Sequence, residues 1–177
     1  LDFKEGGFTF EECKEVVKTM SGLGIDLIEI SGGNYEAPVF GGEYENGASF
    51  ASYATILTEL TDTPIVSTGG FRSRGEMEKV LSSGVSMIGL ARPFVLYKDL
   101  VRRFENNDNF IIRTPRLSTK ISKLDKSFVP IIGVSYYEAQ MKRLANNKLP
   151  KPSTNAWPYL AGTLKAHGLS ALKPRRK

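Results

Sequence analysis

Two glycine-bearing loops hold the residues of this sequence best suited to chemistry: Thr68-Gly69-Gly70-Phe71-Arg72 and Gly89-Leu90-Ala91-Arg92-Pro93. Each grows out of a short apolar run, Ile65–Thr68 and Val85–Leu90. A phosphate group needs backbone N–H groups brought close without a Cβ in the way, and a positive charge opposite its own. Gly69, Gly70 and the N–H groups of Ala91 and Arg92 meet the first need, and the Arg92 guanidinium meets the second. Taken singly, either loop is equally a tight turn, or an Arg that ends a helix. The two together, separated by one helical stretch, favour an anion site.

Little else in the sequence competes for a chemical role. There is one cysteine, Cys13, and one histidine, His167. A lone histidine excludes a multi-histidine zinc centre and a lone cysteine excludes an internal disulfide framework, so no metal site is expected. Cys13 falls on an apolar helical stripe and reads as core, not as a nucleophile. His167 reads as an ordinary surface or helix-end residue, and no catalytic residue is assigned.

The elements that must position the loops follow from pattern. Thr9-Phe10-Glu11-Glu12 has the spacing of a capping box. Phe10, Cys13, Val16, Val17 and Met20 continue it as an amphipathic helix that Gly22 and Gly24 end. Strands are expected at 25–30, 65–68 and 85–90, with helices at about 48–60, from a cap at Ser73 to Gly84, and at 98–106. Short apolar strands alternating with helices predict parallel βα units. From Asn107 to Ile132 the pattern decays, with Pro115 and Pro130 as breakers. A late helix is expected at about 136–145 and a last one over 157–167.

The chain has 177 residues, short for a complete (β/α)8 barrel of about 250. Its net charge of +5 conceals a division: residues 1–112 carry −7 and residues 113–177 carry +12. Only Lys173–Lys177 is a dense basic cluster, so the charge predicts a solvated surface and not a nucleic-acid partner. No apolar run is long enough to span a membrane, and no signal segment is visible at Leu1, which sets cytoplasmic as the expected location.

Three runs, Ile25–Gly33, Thr63–Arg72 and Met87–Phe94, resemble in order and spacing the NADH:flavin oxidoreductase family. These are the Old Yellow Enzyme relatives, FMN-dependent ene-reductases built on a (β/α)8 TIM barrel. The resemblance covers roughly residues 1–104. A later run, Ile132–Gln140, is similar to that family's C-terminal helix region. The resemblance implies an α/β fold, the C-terminal βα units of the barrel (strands six to eight), followed by an irregular and helical extension. It divides the chain into a half-barrel over 1–106 and a basic extension over 107–177 that packs on it. It also implies FMN as cofactor, NAD(P)H as reductant, and an activated alkene or enone as the substrate of the intact protein. The cofactor-binding residues implied are Gly69 and Gly70 after the seventh strand, with Gly89, Ala91 and Arg92 after the eighth. Ala91 stands where many relatives carry Gly, which is tolerable if only its N–H is used. The Ser31-Gly32-Gly33 turn and the aromatics Tyr35, Phe40 and Tyr44 would border the same rim.

The family's carbonyl-binding pair and its tyrosine proton donor have no counterpart in these residues. Three strands leave two open edges and an uncovered apolar face. The chain is therefore expected to be the C-terminal part of a longer oxidoreductase. The alternative is a truncated half-barrel that binds FMN, phosphate or nothing, without catalysis of its own. A dihydroorotate- or dihydrouridine-type flavoenzyme is a further alternative that the wording of the loops fits less well.

Overall fold

The computed structural model describes residues 7–32 and 50–168. In chain order the elements are α1 (Phe10–Gly22), β1 (Ile28–Ile30), α2 (Ala51–Thr58), β2 (Ile65–Thr68), α3 (Arg74–Leu81), β3 (Met87–Gly89), α4 (Arg92–Leu96), α5 (Leu100–Asn106), α6 (Ser122–Ala145) and α7 (Trp157–His167). They form two units, one of Leu1–Ala91 with Asp99–Arg113, the other of Arg92–Lys98 with Thr114–Lys177.

The first unit is built on a three-stranded sheet in the order β1-β2-β3, parallel throughout. The expected strands are thus adjacent and parallel, but two are shorter than their apolar runs. Ile28 donates its N–H to the Pro64 carbonyl at 3.0 Å. Proline has no N–H to return, so the ladder cannot continue beyond it towards Ile25. In register, Ile28 lies beside Ile65, and Ile30 beside Ser67, which lies beside Ile88. Register partners share a face, so these residues form one side of the sheet, and Glu29, Val66, Thr68, Met87 and Gly89 form the other.

The first side faces the helices. Ile30 and Ile65 are buried with Cys13 and Val17 of α1, Phe50, Ala54 and Leu57 around α2, and Val85. Cys13 is core, as its place on the stripe predicts, and burial pushes its thiol pKa up, away from the reactive thiolate. Both expected caps are present. Thr9 and Ser73 each accept from the N–H three residues on, while Glu12 and Glu76 reach back to the cap N–H groups.

The second unit centres on α6 and α7. Leu96 of α4, Leu117, Ile132 and Tyr136 of α6, Ala156 at the N-cap of α7 and Leu160 within it form its core. The expectation of an irregular stretch up to 132 is overturned here, because α6 begins at Ser122 and runs through Pro130. Proline in a helix interior removes one hydrogen bond and crowds the preceding turn. Strong local anchors surround it. The Asp125 carboxylate accepts from the Ser118 hydroxyl (2.6 Å), the Thr119 N–H (2.7 Å) and the Thr119 hydroxyl (2.6 Å). Ile132 and Tyr136 are completely buried about two and three turns beyond Asp125. The helix α4 escaped the pattern reading because it is only five residues long, whereas α7 has the expected bounds. No helix among the described residues is long and apolar enough to cross a membrane.

Candidate functional site

The sheet ends in a notch made by β2 and β3. Thr68 closes β2, and its register partner is Gly89, the last residue of β3. A Cβ placed on Gly89 would lie 2.8 Å from the Thr68 Cβ and 3.1 Å from its Cγ2. Only glycine leaves room for the threonine side chain at that point. The Thr68 hydroxyl beside it is buried and has no hydrogen-bond partner among the described residues.

The chain then turns through Gly69 at φ +99° and Gly70 at φ +86°. Two consecutive residues in this region are a glycine property, because a Cβ would strain both. They differ in what their N–H groups do. Gly69 donates to the Gly89 carbonyl at 3.2 Å, carrying the β2–β3 ladder one step past Thr68. Its N–H is therefore spent within the fold, which narrows the expected set of anion donors. The N–H groups of Gly70 and Ala91 have no backbone acceptor among the described residues.

The rest of the first loop is committed to structure. Phe71 is wholly buried. The Glu76 carboxylate accepts from the N–H groups of Arg72 (2.7 Å) and Ser73 (3.2 Å), and the Arg72 carbonyl accepts from the Ile112 N–H at 2.8 Å. The Arg72 guanidinium donates to the Phe71 carbonyl at 3.1 Å. Arg74 bridges Glu78 (2.6 Å) and Asp108 (2.7 Å), Glu78 being the stronger of the two in raising the arginine's pKa. Both guanidiniums thus have protein partners, and Arg92 too is engaged within the protein. Arg92 is half-buried and opens α4, in the second unit.

The donor chemistry of the first unit's notch suits a phosphate-bearing cofactor. It combines a buried hydroxyl without a partner among the described residues, the half-buried Gly70 whose N–H has no backbone acceptor there, and a glycine whose missing Cβ admits the threonine side chain. A phosphate offers acceptor oxygens and no donors at full charge, which matches a set composed of donors.

Of the expected site residues, the structure brings Gly69 and Gly89 into one hydrogen bond and sets Gly70 beside them. Sequence reading does not single out Thr68, whose side chain Gly89 admits. The signal was the strand period: counting two at a time from Ile65 places residue 68 on the face opposite the helices. Gly33, the run 34–47 with its three aromatics, and Lys173–Lys177 lie outside the described residues, as does the side chain of His167.

No family model matches the chain. Curated proteins do. Over 89 residues the chain is 36% identical to the NADH-dependent flavin oxidoreductase iliE of Hypocrea jecorina, covering 44% of this chain and 22% of that protein. Over about half of its length the chain is similar to an NADH-dependent flavin oxidoreductase. Two further proteins are similar to it: iliE of Neonectria sp., 32% identical over 101 residues, and iccE of Talaromyces variabilis, 38% identical over 99. Both bear the same description, NADH-dependent flavin oxidoreductase, and each match covers 49% of this chain. The chain spans 22%, 13% and 24% of the lengths of these three flavin oxidoreductases.

Proposed function

We propose that this chain carries the FMN-phosphate-binding part of an NADH-dependent flavin oxidoreductase, with its three strands as the sixth to eighth of a (β/α)8 barrel. The observation that supports the reading best is the notch at the C-terminal ends of β2 and β3, where open α/β units take their ligands. There a buried hydroxyl and the Gly70 N–H lack acceptors, beside a glycine that Thr68 requires.

Each residue has a defined task. Gly89 admits the Thr68 side chain and offers its carbonyl to Gly69, fixing the two strand ends at one height. Gly70 and Ala91 present N–H groups to the phosphate oxygens. Arg92, the next residue in the sequence, remains the expected source of a compensating charge and a planar fork. Glu76 holds the second half of the loop by its two backbone bonds, so that the glycines turn at a fixed place. Bound there, FMN would accept hydride from NAD(P)H and pass it to an activated alkene such as an enone. The protein orients the cofactor and the cofactor carries the redox chemistry.

FMN and riboflavin differ by the phosphate alone, so a parallel titration tests the proposal. Flavin fluorescence is followed as the chain is added. The reading predicts that FMN binds at least about tenfold more tightly than riboflavin, the worth of one charged hydrogen bond. Equal affinity, or binding of neither, would contradict it.

A further inference from the structure

Two hydroxyls at the end of β2, Ser67 and Thr68, are buried without a partner among the described residues. A buried polar group left unpaired is costly, and hydroxyls in this state usually find a carbonyl nearby. The strand places the two on opposite faces. Ser67 lies in register between Ile30 and Ile88 on the helix side and is completely buried there. No ligand reaches that side without displacing the core. Thr68 stands on the other face, against Gly89 and directly before the two left-handed glycines. Its hydroxyl oxygen is the atom nearest the position a Gly89 Cβ would fill. Replacing residue 89 by any residue with a Cβ would therefore abolish the arrangement.

We infer that the Thr68 hydroxyl is a ligand-contacting donor, which hydrogen-bonds a phosphate oxygen alongside the Gly70 N–H. This deepens the proposed FMN-phosphate reading and rests on it. The two donors have the same requirement, an acceptor from outside the described protein groups. A phosphate dianion supplies several acceptors at once, and a hydroxyl rotor adapts to whichever oxygen is closest. The Ser67 hydroxyl, by contrast, has no such task, and its loss is expected to leave binding intact.

The test uses the whole 177-residue chain with FMN, riboflavin and inorganic phosphate as probes. Thr68→Val keeps shape and strand preference while removing the donor. FMN binding should weaken by about ten- to a hundredfold. Inorganic phosphate, read as competition against FMN, should weaken in the same proportion, and riboflavin binding should not change. Thr68→Ala should repeat the loss with a smaller side chain, and Thr68→Ser should restore binding to within about threefold of the parent. Ser67→Ala should bind as the parent does, and matched thermal melts show that each variant is folded. Unchanged FMN binding by Thr68→Val or Thr68→Ala overturns the inference alone. So does an equal loss of riboflavin and FMN binding, which would put the contact on the flavin's other part. Absence of FMN binding by the parent overturns the phosphate site itself, and the role of Thr68 with it.

Discussion

The side chain of Thr68 occupies the space that any side chain on Gly89 would need, with only 2.8 Å between the threonine Cβ and the position of an added one. Gly89→Ala is therefore expected to destabilise the first unit, by about 1–3 kcal/mol as for other overpacked sites. Adding Thr68→Ala should recover part of this, because the hydroxyl and Cγ2 are then gone while the Cβ remains. Urea unfolding of the two single variants and the double variant measures the coupling. Strict additivity would show that the two residues do not crowd each other.

Gly70 turns at φ +86°, where an L side chain is strained. Gly70→Ala should cost roughly 1–2 kcal/mol in stability. FMN binding should fall as well, since the N–H it presents is displaced with the turn. A variant as stable as the parent would mean that the glycine is not required by backbone conformation.

The Ser73–Glu76 capping box closes the same loop. Ser73→Ala is expected to cost about 1 kcal/mol. Glu76→Ala should cost more, since it frees the N–H groups of both Arg72 and Ser73. Hydrogen exchange at those two amides should accelerate in Glu76→Ala and nowhere on β2. Protection equal to the parent's would assign the loop's anchoring to Phe71 and Ile112 instead.

In the second unit, hydrogen bonds from Ser118 and then Thr119 hold the Asp125 carboxyl below the ordinary carboxylate pKa. A lowered folded-state pKa contributes stability that is present above the unfolded value of about 4 and lost as pH falls through the folded one. Acid should therefore loosen the start of α6 below about pH 4, and Asp125→Asn should flatten that dependence. Thermal melts between neutral and acid pH, read by tryptophan fluorescence, check it. Trp157 is the reporter, since its indole N–H donates to the Thr119 carbonyl at 3.1 Å. An unchanged acid limb in Asp125→Asn would refer the loss to other carboxylates.

The parts of the fold that sequence made legible share one physical origin, a strong local signal. Thr9–Glu12 and Ser73–Glu76 cap because a hydroxyl and a carboxylate three residues apart satisfy each other's backbone donors. The strand at 65–68 is right to the residue because Pro64 and Gly69 punctuate it on both sides. Ile25–Ile30 and Val85–Leu90 were read too long, since pairing is limited by the neighbouring strand and not by apolar length. The start of α6 is not legible because Asp125 ties the helix to the turn at Ser118 and Thr119 by bonds that no short motif describes, and Pro130 argues against a helix that tertiary burial of Ile132 and Tyr136 supports. At the site, the glycines and Arg92 were visible as residue types. That Gly69 spends its N–H on Gly89, and that Thr68 fills the missing Cβ, depends on register between strands nineteen to twenty-one residues apart, which spacing alone does not reveal.

Arg92 and Arg72 separate the central claim from its nearest rival most directly. Apo-protein is titrated with FMN, flavin fluorescence being followed for the parent, Arg92→Ala, Arg92→Lys and Arg72→Ala. Arg92→Ala should weaken binding by about ten- to a hundredfold, from the loss of charge-assisted hydrogen bonds. Lys should recover part of that, as charge without the planar fork. Arg72, on the loop whose second half Glu76 holds, should matter little. Tight FMN binding by Arg92→Ala together with weak binding by Arg72→Ala would place the phosphate anchor on the other loop and contradict the account.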